Sequence, residues 1–181
     1  MALSFLHSSI LPSAGLTRVA AAVGKYEWLL FLHMTGAFLF LGAAVASLIF
    51  TFASQRYERP SEIALILRLG SYTIPGFAIG GLLLLVFGLW LVDEAGFDYT
   101  DGWVIAALVL FILSNVAGAV GGKRAEPARE LAERLAPEND EPNTELKARL
   151  HDPVMLALDY GAALLGFAVL VLMIWKPGAG G

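Results

Sequence analysis

The chain has 181 residues, 57% of them hydrophobic, with a mean hydropathy of +0.70 and only 15% charged side chains. Soluble domains hold roughly 45–50% apolar residues, so this excess, gathered into long runs, reads as a polytopic membrane protein without a second, soluble domain. A net charge of −4 and a pI near 5.3 argue against nucleic acid as a partner. The absence of cysteine excludes disulfides, thiolate metal sites, iron–sulfur clusters and covalently attached c-type haem.

Residues 1–25 read as an N-terminal, interfacial arm. They lack the basic start and long apolar centre of a secretory signal, and Pro12, Gly15 and Gly24 divide them into short pieces. Ala14–Val23 suits a short surface helix, and His7 is expected to be solvated. Residues 26–177 read as one membrane domain of four helices. The first covers 26–52, more than the roughly 20 apolar residues a bilayer requires. Tyr26, Trp28 and Tyr57 mark its two interfaces. Ala53–Ser71 is expected to be a short loop, and the second helix covers 72–92 with Pro75 in its first turn. An acidic connector, Asp93–Asp101, leads to a third helix over 103–121. Residues 122–153 form the longest polar loop. Its Arg129–Ala136 part suits an amphipathic helix that lies at the interface or extends the third helix. The fourth helix covers 154–175.

Nine of the twelve Lys and Arg residues fall in the first and third loops, leaving Arg18, Lys25 and Lys176 on the other side. Basic loops stay in the cytoplasm, so both termini are expected outside. Small residues mark helix contacts where lipid gives no hydrophobic drive. On the first helix Gly36, Ala37, Ala44 and Ser47 share a face with Leu30, His33 and Phe40. Gly76, Gly80 and Gly88 mark the second helix, Asn115, Gly118 and Gly122 the third, and Asp159, Ala162 and Gly166 the fourth. The fold class that follows is all-α, a four-transmembrane-helix antiparallel bundle.

Few residues carry chemistry. His33 lies seven residues inside Tyr26, about 10 Å along the helix. An ionisable side chain at that depth marks a candidate site. Its imidazole is first read as hydrogen-bonded to a backbone carbonyl or a neighbouring helix; the sharper reading is haem b ligation, with Met173 as a weaker axial candidate. Asp159, Asn115 and Arg68 fit a polar clamp that fixes helix register, or a proton or ion relay in which His33 and Asp159 bracket a path. Trp28, Trp90, Trp103 and Trp175 read as an interfacial belt. The polar loop reads as a solvated face or a docking site for a cytoplasmic partner. There is no phosphate-cradling glycine loop, nucleophile elbow or zinc-protease motif.

LLFLHMTG at Leu29–Gly36, TIPG at Thr73–Gly76 and IWKP at Ile174–Pro177, with the spacing of the four helices, resemble a bacterial membrane-protein family. It is known as domain of unknown function 2269. The resemblance covers roughly Lys25–Pro177 and implies a bacterial inner-membrane protein without an assigned activity. The family is distantly similar to copper-resistance D-type and protoporphyrinogen-oxidase-type membrane proteins. These also carry a histidine in an early helix, tied to haem in the oxidase group, and His33 is the matching residue here. The leading reading is a non-enzymatic accessory or scaffold protein, with the bilayer and a membrane-complex partner or second copy as its contacts. Short loops and small residues are expected to leave little room for a pocket. The alternatives are a haem b redox protein using His33 and a small transporter or proton-conducting element using Asp159 and Asn115.

Overall fold

The structure, a computed structural model, describes residues 24–178. The arm expected over residues 1–25, with its surface helix and His7, therefore lies outside the described residues except for Gly24 and Lys25. The described residues form helices α1 (Lys25–Ser54), α2 (Pro60–Ser71), α3 (Ile74–Glu94), α4 (Gly102–Glu138), α5 (Thr144–Leu150) and α6 (Pro153–Trp175), with no strand among them. Four helical stretches are long and apolar enough to cross a membrane. The shortest single helix that does so, α3, has 21 residues and extends about 32 Å, matching a hydrocarbon core of about 30 Å. Phe38 and Leu164 are 75% and 70% exposed. Such side chains line the flanks of the bundle, an arrangement that suits lipid as the surrounding solvent.

Two segments expected to be loops are helical. Pro60–Ser71 starts with Pro60 at its first position, and Ile63, Ala64 and Leu67 recur at helical spacing along one side. It stops at Tyr72 and Thr73, because Pro75 has no N–H to continue the ladder into α3. Likewise α4 does not end near Gly121 but continues through Pro127 to Glu138, extending about 56 Å over 37 residues. The amphipathic stretch is this extension. Tertiary burial outweighs the weak helix propensity of Gly121 and Gly122. Ala128, Leu131 and Ala132 pack with Ile63 of α2 and with Leu146 and Leu150 of α5 into a small core.

That core closes the end of the bundle nearest Arg56. Asp140, in the α4–α5 connection, reaches across to the start of α2. Its carboxylate accepts hydrogen bonds from Ser61 N and Ser61 Oγ, both at 2.8 Å. Arg59, the N-cap of α2, makes no side-chain capping bond of its own, so Asp140 supplies it from outside the helix. These bonds, with Arg59 nearby, hold the Asp140 carboxyl below the usual carboxylate range.

The opposite end, nearest Lys25, is closed by aromatic packing. Phe97 meets Trp103 edge-on at 5.2 Å, and Lys176 Nζ lies 4.6 Å above the Phe97 ring. Lys25 pairs with Glu94.

The spanning helices associate in two close pairs, α1 with α3 and α4 with α6, with only light contact between α1 and α6. In the first pair the backbones touch. A Cβ built on Gly80 would lie 2.6 Å from Phe40 N and 2.9 Å from Gly36 O. In the second pair Ser114 Oγ donates to Ala162 O at 2.8 Å.

Candidate functional site

Because the small residues draw the helices together pairwise, the two pairs stand apart along the bundle axis. The expectation of little interior room is therefore overturned. A cavity of about 350 Å³ lies toward the Lys25 end and another of about 600 Å³ toward the Arg56 end. Both fall within the size range of small-molecule sites. Phe40, Leu41 and Gly166 border both cavities.

The Lys25-end cavity is walled by apolar side chains from all four spanning helices, with His33 on α1 and Met173 on α6. Among the described residues no carboxylate lines it. His33 Nδ1 lies 3.2 Å from Leu84 O on α3. A carbonyl only accepts, so Nδ1 carries the proton and donates, leaving the Nε2 lone pair of the neutral ring uncommitted. The ring fits there because Gly88 has no side chain. A Cβ on Gly88 would lie 2.9 Å from His33 Cε1. Met173 packs against Val92, Trp103 and Val104. The Trp103 Nε1–H is buried without a hydrogen-bond partner among the described residues. Lys176 stands at the mouth, with Nζ 5.6 Å from the Trp103 ring centre.

The larger cavity is the more polar of the two and holds Asp159 and Asn115, but the clamp expected of Arg68, Asn115 and Asp159 is not formed. Asp159 Oδ2 accepts from Thr51 Oγ1 on α1 at 3.0 Å. Its Oδ1 lies against Gly121, where a Cβ would approach to 2.6 Å. Asn115 Nδ2 donates to Phe111 O within its own helix at 2.8 Å. Arg68 is exposed, because the segment that carries it is the outward side of helix α2 and not a pliable loop. Among the described residues no Lys, Arg or His forms an ion pair with Asp159. Arg129, also on the wall, pairs with Glu126 at 3.6 Å.

Three contributors escaped the sequence reading: Thr51, Ser114 and Leu84. Thr51 had a signal, since it continues the His33–Phe40–Ser47 stripe by one further turn. Ser114 had none beyond its neighbour Asn115. Leu84 acts through a main-chain carbonyl, which side-chain patterns do not reveal.

Among the described residues no three His, Asp or Glu side chains gather as a metal site, and His33 stands as a single imidazole held at Nδ1 by a backbone carbonyl. No curated protein and no solved structure matches the chain. One family model does, over residues 27–177, and its description is predicted integral membrane protein. With its four spanning helices and this match over most of its length, the chain belongs to that family, DUF2269.

Proposed function

We propose that the protein is a haem b-binding membrane redox protein of the bacterial inner membrane, with both termini outside and His33 in the outer half. The observation that supports this reading best is His33 Nδ1 at 3.2 Å from the Leu84 carbonyl: a carbonyl only accepts, so in the neutral ring Nδ1 donates and Nε2 is left as a lone-pair donor on a mainly apolar cavity wall. His33 would hold the iron, with Met173 on the same cavity as the candidate second ligand. Bound there, haem would supply one-electron transfer. The surrounding side chains are mainly apolar, and Gly88 lets the imidazole seat against α3. Lys176 offers the mouth a cation suited to carboxylate groups. Without cysteine, haem would not be held by thioether bonds.

The test is an absorption spectrum of detergent-purified protein expressed with ample haem, oxidised and dithionite-reduced, beside His33→Ala. A Soret band that shifts on reduction and is lost in the variant is expected. Circular dichroism of the variant shows whether the helices persist. A colourless wild-type protein overturns the redox reading and returns the chain to the accessory role.

A further inference from the structure

The two cavities meet at one side chain. Phe40 is 5% exposed and its ring packs against Phe77 at 5.3 Å and Phe111 at 5.5 Å between ring centres. On α1, Phe40 lies seven residues, about 10 Å, from His33 and eleven residues, about 16 Å, from Thr51. From α6, Gly166 completes the waist. A Cβ there would lie 3.7 Å from Phe40 Cε1 and 3.6 Å from Ser114 Oγ. Leu41 is the remaining residue common to both walls.

The two sides of this waist differ in chemistry. Toward the Arg56 end the cavity carries Ser47, Thr51, Ser114, Asn115 and Asp159 and ends at Lys123, Glu126 and Arg129 on α4. Its volume of about 600 Å³ far exceeds the roughly 15 Å³ that one water needs, and its wall offers the polar partners that hold water. Toward the Lys25 end the wall is apolar except for His33, Tyr26 and Lys176. Among the described residues Asp159 has a hydroxyl partner and forms no ion pair, whereas Glu126 on the same wall pairs with Arg129, so the unpaired carboxyl facing the vestibule is that of Asp159.

We propose that the two cavities are the halves of one transmembrane proton route, closed by the Phe40 ring, with Asp159 as its proton-binding group on the Arg56 side. The proton moves between water in the vestibule and the Asp159 carboxylate, forming an O–H bond on one as it breaks on the other. It passes the waist only when the ring moves aside and water becomes continuous, as at other apolar constrictions that gate by dewetting. The inference rests on the shared waist and the polar wall; because haem in the His33 cavity would fill the Lys25 half, the route is that of the haem-free protein, and colourless protein is the material reconstituted.

The experiment uses the full chain in liposomes loaded with a pH-sensitive dye, with a potassium gradient and valinomycin as driving force. Phe40→Ala is expected to raise proton flux over wild type by about tenfold or more, equivalent to a barrier lowered by about 1.4 kcal/mol. Phe40→Ala with Asp159→Asn is expected to return to the wild-type rate. Since the chain has no native cysteine, Ser47→Cys in the wild-type background reports on the vestibule even if Phe40→Ala does not fold. It is expected to react with a membrane-impermeant thiol reagent from the Arg56 side alone. A folded Phe40→Ala as tight as wild type, a leak indifferent to Asp159→Asn, or a Ser47→Cys that reacts from neither side or from both overturns the proposal.

Discussion

Gly80 and Gly88 lie two turns apart on α3 and both face α1, yet the same substitution is expected to cost stability at one position and not at the other. A Cβ on Gly80 would sit 2.6 Å from Phe40 N and 2.9 Å from Gly36 O. These are main-chain atoms of a helix and cannot turn away. Ordinary contact begins at 3.4 Å, so α1 and α3 must separate by about 3.4 − 2.6 = 0.8 Å. Overpacking of this kind costs roughly 1–3 kcal/mol, and replacing a helical Gly by Ala returns roughly 0.8–1 kcal/mol. The net loss for Gly80→Ala spans roughly 0–2 kcal/mol and centres on about 1 kcal/mol, or about 2–4 °C of Tm in detergent for a chain of this size. On Gly88 the Cβ meets the end of a side chain instead, His33 Cε1 at 2.9 Å and Nδ1 at 3.0 Å. The ring can swing off Leu84, losing one interhelical hydrogen bond of about 0.6 kcal/mol on average, which the helix-propensity gain offsets. Gly88→Ala should therefore keep wild-type Tm while altering the imidazole environment. Thermal melts monitored by circular dichroism, paired with ¹⁵N NMR of the His33 ring, separate the two effects. A Gly80→Ala protein as stable as wild type, or a Gly88→Ala protein whose Nδ1 remains protonated and hydrogen-bonded, refutes the reasoning.

Ser114→Ala removes the hydroxyl bonded to Ala162 O, a bond expected to contribute about 0.6 and at most about 1.7 kcal/mol between membrane helices. The measurable loss in Tm should therefore be smaller than that of Gly80→Ala, and a larger loss would mean that Ser114 does more than join α4 to α6. Asp140→Ala should loosen the start of α2, read as faster amide exchange at Ser61. The Asp140 carboxyl titrates below its ordinary value, near 3.9 in an unfolded chain. Its stabilising effect is thus complete above about pH 3.9 and is lost as pH falls through the lower folded value. The gap between wild type and Asp140→Ala should narrow on acidification; a gap constant from neutral pH down to full protonation would contradict the capping role.

The spanning helices were legible because bilayer thickness imposes a minimum apolar run, and their long hydrophobic sequences leave few alternatives. The helices outside the bilayer were harder to read. Pro60–Ser71 is a helix of 12 residues, and Thr144–Leu150 is one of 7. Isolated helices of such length are marginal in water. What holds them is contact among Ile63, Leu131, Leu146 and Leu150, which lie as much as 87 residues apart in the chain. A local window sees the apolar stripe of each segment but not its partner. The same reason explains Gly121 and Gly122, which locally signal an end to α4 but sit within a helix held on both sides by packing.

The site was legible along one helix and illegible across helices. His33, Phe40, Ser47 and Thr51 recur on one face of α1, and that face borders both cavities. The periodicity of α1 thus implied its orientation without revealing what stood opposite. Glycines on α3 suggested close approach everywhere, yet Gly80 makes a backbone contact while Gly88 makes room for an imidazole. Small residues on every helix predict a filled interior. In the structure they close α1 on α3 and α4 on α6, and tight packing within each pair is what leaves space between the pairs. A bundle whose four helices all met equally would have no continuous axis to enclose a ligand or water. Here the division into pairs gives His33 and Asp159 separate chambers, with Phe40, Leu41 and Gly166 on the wall common to both.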